Sequence, residues 1–325
     1  MRARTATMAT EEVSALKRKP IYVETDIRTE MDRLWRHTQS PDLHAQWDLR
    51  FSEIVYLQRE EETEPQRFLY RTNLGFGLNI AGTGVTKATF RRETGERTST
   101  LAFGSDQALS LIRSGSGYWK YAPRGDRITF TTRYDYDTRF GCWGRWFDRF
   151  LFRPLFGYAT AWSFDTLRLW LEKNIPPAVT IERAIVHYGC LLAVALLWCF
   201  QGAVPKLLYP EAGELAILQS TGWFAGAEKL VLQGLGLAEI VCGLLTVVWH
   251  RKGWIYGIQI GIMLALTAAA LVGNPDLLKS PFQPATLTAA MTALCLAAAW
   301  TRHDLPWAGR CKRKADLSEK EERHQ

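Results

Sequence analysis

The sequence lacks the signatures of several large protein classes. None of its six cysteines (Cys142, Cys190, Cys199, Cys242, Cys295 and Cys311) stands at Cys-x-x-Cys spacing, and four of them lie within apolar runs. That pattern excludes a zinc-ribbon reading and a secreted disulfide framework, and it reads as small buried hydrophobes with no metal centre. Gly75-Phe-Gly77 with Gly82 and Gly84 does not complete a GxGxxG fingerprint, so these glycines read as flexible strand or loop and no nucleotide cofactor is expected. The formal charge is +7, but Arg and Lys form no stripe interleaved with aromatics. Nucleic acid is therefore not an expected partner, and anionic lipid headgroups are the better match. Residues 1–20 hold several charges and no apolar core of seven, which reads as a flexible tail and not a signal peptide.

Long hydrophobic runs are absent from the first half and dominate the second, so the mean hydropathy of −0.13 blends two unlike parts. Asn174-Ile-Pro-Pro177 lies on the step between them as linker chemistry. Ile185–Val204, Leu230–Trp249 and Trp254–Gly273 are each long enough to cross a hydrocarbon core of roughly 30 Å, and a shorter fourth run is Ala285–Trp300. Glu214–Ala227 is too polar to span and reads as a short helix or loop at the outer surface. Arg168, Lys173 and Arg183 precede the first run, Arg251 and Lys252 separate the second from the third, and Arg302, Arg310, Lys312, Arg313 and Lys314 follow the fourth. The alternate loops hold Lys206, Lys229 and Lys279 among acids. This bias predicts a multi-pass inner-membrane protein with both termini cytoplasmic. Trp198, Trp223, Trp249, Trp254 and Trp300 lie near span ends, as interfacial belts require. Gln201, Lys206, Glu239 and Gln259 are the intramembrane polar candidates, either as glue between helices or as a proton or ligand site, with Glu239 free to pair with Lys206, Gln201 or Gln259.

Trp198-Cys-Phe-Gln-Gly-Ala-Val-Pro-Lys206, Glu214-Leu-Ala-Ile-Leu, Gly236-Leu-Ala-Glu239-Ile and Ser280-Pro-Phe-Gln-Pro284 together resemble the DoxX-like membrane family. The resemblance covers about residues 181–302 and implies an all-α four-helix transmembrane bundle of the bacterial inner membrane, with no defined chemistry.

In the first half, Ile21, Val23, Thr25 and Ile27 alternate as a half-buried strand does. Two short helices are expected at Thr29–Arg36 and Pro41–Trp47, with Thr29 and Ser40 as N-caps. Six further strands are expected at Ile54–Gln58, Arg67–Thr72, Gly84–Arg91, Thr98–Phe103, Leu111–Tyr121 and Arg127–Tyr136. A helix closes the half, with Leu155, Tyr158, Ala159, Trp162, Thr166, Leu169 and Trp170 at helical spacing. With Ile21-Tyr-Val-Glu-Thr25, Leu34-Trp35 and Leu43-His-Ala-Gln-Trp47-Asp-Leu-Arg50-Phe51, this order resembles the START-like, SRPBCC superfamily of polyketide cyclase/dehydrase and lipid-transport domains. The resemblance covers residues 20–174. It implies an α+β helix-grip fold, an antiparallel sheet around a long C-terminal helix, with an apolar cavity for a hydrophobic small molecule or lipid.

The expected organisation is thus a tail (1–19), the helix-grip domain (20–174), the four-helix module (181–302) and a basic tail (303–325). Candidate cavity residues are Trp35, Trp47, Phe51, Phe76, Trp119, Tyr134 and Trp162, each of which is otherwise packed core. Arg50 either orients an anionic head group or forms a salt bridge to Asp48 or Glu53. His44, Asp48, Asp135 and Asp137 are the acid–base candidates, but nothing pairs them at a diagnostic spacing, and no catalytic residue is assigned. Trp143–Phe156 mixes bulky aromatics with Arg145, Arg149 and Arg153. This stretch is either an in-plane interfacial helix or the first turns of the gripping helix. The expected function is a membrane-anchored binder of an apolar ligand. The alternatives are a cyclase- or dehydratase-like enzyme and a structural subunit of a membrane redox or stress complex.

Overall fold

The computed structural model describes residues 19–61, 64–75, 77–279 and 283–315. The described residues divide into two compact units, one within Met1–Ala178 joined by Pro306–Gln325, the other Val179–Leu305.

The first unit opens with β1 (Ile21–Ile27), followed by α1 (Met31–Gln39) and α2 (Pro41–Trp47). Six strands then run as a meander: β2 (Glu53–Tyr56), β3 (Gln66–Gly75), β4 (Leu78–Arg91), β5 (Arg97–Gly104), β6 (Ile112–Arg124) and β7 (Arg127–Thr138). They form one antiparallel sheet of order β1-β7-β6-β5-β4-β3-β2, in which β1 crosses over to pair with β7. A short helix α3 (Gly141–Phe147) continues through a π-helical stretch, Asp148–Phe152, into the long helix α4 (Arg153–Lys173). Sheet and long helix make the expected helix-grip architecture.

The largest departure from the expected strands is β4, which begins six residues before the anticipated Gly84. Gly82 and Gly84 are not loop residues. Each lies opposite an aromatic in the β3 register, Tyr70↔Gly82 and Phe68↔Gly84, and a Cβ at either would overlap that ring. The glycines let the rings lie flat across the neighbouring strand. Thr29 does not cap α1, whose N-cap is Glu30, and Ser40 precedes α2 without a side-chain capping bond.

The core under α4 is aromatic. Phe164 stacks on Phe130 at 4.4 Å between ring centroids, Phe130 stacks on Tyr121, and Trp47 and Trp119 meet these rings edge-on or tilted. Toward the start of α4 the residues facing the sheet shrink to Ala159 and Thr160, and the space between sheet and helix opens.

The chain beyond the last long helix returns to this unit. The backbones of Glu24 and Lys312 exchange two hydrogen bonds of 2.9 Å, which covers part of the β1 edge. The Lys312 ammonium lies 3.2 Å from the Glu24 carboxylate. The Trp307 amide donates to Asp165 Oδ2 at 2.8 Å, and buried Cys311 packs its thiol on the Ala161 carbonyl. A sheet edge is a row of unpaired backbone groups, and this segment satisfies some of them.

Among the described residues, the second unit holds four helices long and apolar enough to cross a membrane. The first is α5 (Pro177–Gly202), extended by a π-helical stretch, Ala203–Leu208, at Pro205. Next, α6 (Glu214–Thr221) is the short segment too polar to span. The remaining three are α7 (Glu228–Trp249), α8 (Gly253–Gly273) and α9 (Pro284–Thr301). Residues 280–282, part of the motif read at Ser280–Pro284, lie outside the described residues.

Candidate functional site

Within the first unit a cavity of about 590 Å³ lies between the sheet and the start of α4. That volume is within the range of small-molecule pockets, roughly 300–1,000 Å³. Ile80, Leu101, Phe103, Trp119 and Phe156 are among the side chains that make it mostly apolar, while His44, Arg50, Tyr70, Thr132 and Tyr134 bring polar groups to its wall.

Four of the expected wall residues (Arg50, Phe51, Trp119 and Tyr134) line this cavity. Trp47 does not. It is wholly buried behind His44, where its indole donates to the His37 carbonyl at 2.9 Å. Trp162 is buried on α4 and is not part of the wall. Trp35 lies on the other side of Tyr121, its ring 5.0 Å from that of the tyrosine, in a separate shallow depression with Tyr56 and Arg59. Helical periodicity identifies a large ring as inward-facing, but it does not tell a filled layer from an empty one. Phe76 lies outside the described residues.

The polar wall is built on a local motif that sequence spacing left unpaired. Asp48 caps the C-terminus of α2, one helical turn after His44, and the two side chains meet at 3.0 Å (His44 Nε2 to Asp48 Oδ2). The Arg50 backbone amide donates to Asp48 Oδ1, closing a tight Asx turn. That turn brings the Arg50 guanidinium back onto the same carboxylate through both oxygens, at 2.8 and 2.6 Å. The salt-bridge alternative for Arg50 is therefore the observed one, with Asp48 and not Glu53, whose carboxylate meets Arg71. Burial disfavours the Asp48 anion, but Arg50 and then His44 outweigh it and hold the carboxyl well below its usual range. The Asp48 charge in turn holds Arg50 cationic despite its burial. The guanidinium also lies 5.4–5.7 Å from the ring centroids of Phe51, Tyr134 and Phe156.

His44 is framed by aromatics, with Trp119 at 4.9 Å, Trp47 at 5.0 Å and Phe51 at 5.3 Å between centroids. A carboxylate only accepts, so His44 Nε2 carries the proton in its bond to Asp48. Tyr134 hydrogen-bonds Thr160 of α4 at 2.7 Å, and burial pushes its hydroxyl pKa up. Tyr70, bonded to the Gly104 carbonyl, is pushed up to about 12 by burial. Asp135 and Asp137 are not brought to His44. Asp135 pairs with Arg153 at 2.8 Å.

In the second unit the four expected polar residues divide into two groups. Lys206 lies 3.0 Å from both Glu239 and Glu214, and its ammonium donates to the backbone carbonyl of Gln201 at 3.3 Å. Gln259, almost wholly buried on α8, accepts from the Trp198 indole of α5 at 3.1 Å and donates to Thr246 of α7 at 2.6 Å. The Cys295 thiol of α9 approaches the same Gln259 oxygen at 3.8 Å. One side chain thus touches all three other long helices. His187 and His250, which the sequence did not single out, meet at 2.9 Å, and the second His187 nitrogen faces the Ala298 carbonyl. Their separation by 63 positions in the chain left no local signal.

These two units define the class: a membrane protein that joins a helix-grip domain to a DoxX-like helical module. The model of the DoxX-like family matches residues 195–296. Over 246 residues the chain is 46% identical to the uncharacterized membrane protein YndG of Bacillus subtilis (strain 168), covering 75% of this chain and 83% of that one. The chain belongs to the family of that protein. Among solved structures, its first half is similar to TTHA0849 from Thermus thermophilus (14% identity, 48% of this chain and 98% of that one, TM-score 0.38). A fragment of a STAR-related lipid transfer protein from Xanthomonas axonopodis also aligns (16% identity, 46% and 84%, TM-score 0.36). Likenesses at that level say nothing of what this chain binds.

Proposed function

We propose that this chain is a membrane-tethered receptor for a hydrophobic small molecule or lipid, held in the cavity of its first unit. The observation that carries the reading is the cavity's mouth. Leu78, Leu109, Phe147 and Leu155 line the cavity and are at the same time exposed. An apolar rim around an apolar interior suits a ligand that leaves lipid without crossing water. The Asp48–Arg50 pair is neutral as a unit, so the polar end of the wall favours a hydroxyl or carbonyl on the ligand over a free anion. The four spans keep the receptor at the membrane that holds its ligand. The cation bias of the short loops supports a cytoplasmic receptor on the inner membrane, and the return of residues 306–315 to the first unit accords with an even number of spans.

Organic extraction of the purified full-length protein, followed by mass spectrometry, tests the reading. An apolar compound is expected to co-purify, and Leu101→Trp, which fills the cavity, is expected to lose it. No compound in the extract, together with no binding to a panel of fluorescent lipids and apolar metabolites, would overturn it.

A second reading has one observation in its favour, the His44–Asp48 pair at the cavity wall. There His44 Nδ1 would accept a proton from an apolar substrate, as in a cyclisation or dehydration. His44→Gln separates the two. An enzyme loses turnover while keeping affinity, whereas a receptor changes only in affinity.

A further inference from the structure

We propose that residues 140–155 are a docking surface for an anionic lipid bilayer, seated in the headgroup layer beside the mouth of the cavity. The proposal adds a membrane contact to the receptor reading and stands on separate observations.

Trp143, Trp146, Phe147, Phe150, Leu151 and Leu155 fall at helical spacing and make one stripe. In a helix packed in water that stripe faces the core. Here it faces out: Trp143 is 80% exposed, Trp146 59% and Phe150 63%. The helix cannot roll to hide them, because its opposite face is moored by charge. Asp148, buried and the segment's only carboxylate, accepts from the Tyr136 hydroxyl at 2.6 Å and from Arg153 at 2.9 Å. Arg153 also bonds Asp135 at 2.8 Å and lies 4.4 Å from the Tyr136 ring centroid. Gly144 sits so close to the Arg139 carbonyl that a side chain there would collide. Rolling the stripe inward would break the buried Asp148–Arg153 pair and pull Asp148 from Tyr136, at a cost of several kcal/mol.

Exposed indoles and phenyls beside the exposed guanidiniums of Arg145 and Arg149 have the chemistry of the bilayer interface, where rings sit among the upper acyl chains and cations meet anionic headgroups. The stripe is also continuous with the site, since Phe147 and Leu155 belong both to it and to the cavity rim. A stripe embedded in lipid would open the cavity onto acyl chains.

The test uses the full chain in nanodiscs of phosphatidylcholine, with and without phosphatidylglycerol, and an environment-sensitive fluorophore on the exposed Cys142. Cys142→Ser protein labelled in parallel sets the background from the other cysteines. The probe is expected to be quenched by lipids spin-labelled along the acyl chain and shielded from aqueous iodide, more so with phosphatidylglycerol. Arg145→Gln with Arg149→Gln should remove the dependence on phosphatidylglycerol. Trp143→Ser with Trp146→Ser and Phe150→Ser should return the probe to water while ligand affinity in detergent stays unchanged. Full iodide access with no lipid quenching in the wild type would overturn the proposal. So would shielding that appears only in nanodiscs holding two copies, which would make the stripe a dimer contact. Loss of ligand binding with the probe still embedded would sink the receptor reading and leave the docking surface standing.

Discussion

In the first unit the buried carboxylates Asp48, Asp148 and Asp165 each hold an arginine two to five positions further along the chain, and aromatic rings pack the core beside the cavity. In the second unit the interior holds Lys206, Glu239, Thr246 and Gln259, while Leu192, Leu196, Leu230, Val248 and Val272 point outward. The outward faces differ because the two units have different solvents, although the second unit's interior also packs Val194, Trp198, Ile255, Tyr256 and Met263. Water expels the rings of the first unit and lipid accepts the leucines of the second, and in both the buried polar side chains find partners inside. The segment 140–155 follows the second rule while belonging to the first unit, which is why it stands out.

The sharpest way to break this comparison is to remove a charge whose partner has no substitute. Asp48→Ala leaves Arg50 buried without its counter-ion and is expected to cost about 3–5 kcal/mol, read from the near-ultraviolet dichroism of the aromatic core during denaturant unfolding in detergent. A cost near zero would show that Arg50 escapes to water. The acid limb of the same measurement has a definite sign. Folding holds Asp48 below its ordinary value of 3.8, so its contribution is complete at neutral pH and disappears as the pH falls through the lowered value. Asp48→Asn should therefore be weakened already at neutral pH and show a flatter loss in acid than the wild type.

Truncation after Cys311, which spares the Trp307 and Cys311 contacts, should cost less. Two backbone hydrogen bonds at about 1 kcal/mol each give roughly 2 kcal/mol. Hydrogen exchange supplies the readout, since the Glu24 amide, bonded to the Lys312 carbonyl, should exchange faster in the truncated chain than the neighbouring amides paired with β7. Unchanged protection at Glu24 would show that the returning segment does not stabilise the edge.

The smallest effects belong to the bundle. Gln259→Leu removes the bonds to Trp198 and Thr246, and interhelical hydrogen bonds in membranes contribute about 1 kcal/mol. Glu239→Gln should be similarly mild, because Lys206 keeps Glu214. Steric-trapping measurements in bicelles would resolve both. A loss at Glu239 as large as that at Asp48 would mean that this carboxylate does more than hold helices together.

Much of this was legible in the chain. Period-two alternation located β1 to the residue, although the strand is buried on both faces, Tyr22 and Glu24 included, and not half-buried as its alternation predicts; uninterrupted apolarity located the four spans. The polar residues within the spans were equally conspicuous, since lipid makes each one an exception. Local pattern carries no trace of a partner that lies across the fold. Trp47, Trp35 and Trp162 are as large and apolar as Trp119, yet only Trp119 faces the cavity, and no local rule separates them. His44, Asp48 and Arg50 lie within seven residues of one another, but their pairing depends on a helix end and a tight turn that bring three side chains onto one point.

Composition and periodicity by themselves determined that the protein has two parts, one strand-rich and one made of membrane spans, because secondary structure and solvent preference are short-range properties carried by neighbouring residues. The tertiary structure alone decided that a cavity remains beside a filled aromatic core, that Asp48 serves both His44 and Arg50, and that the chain after the last span returns to the first strand. Those outcomes depend on which surfaces meet, and a void or a shared counter-ion exists only once distant segments are packed together.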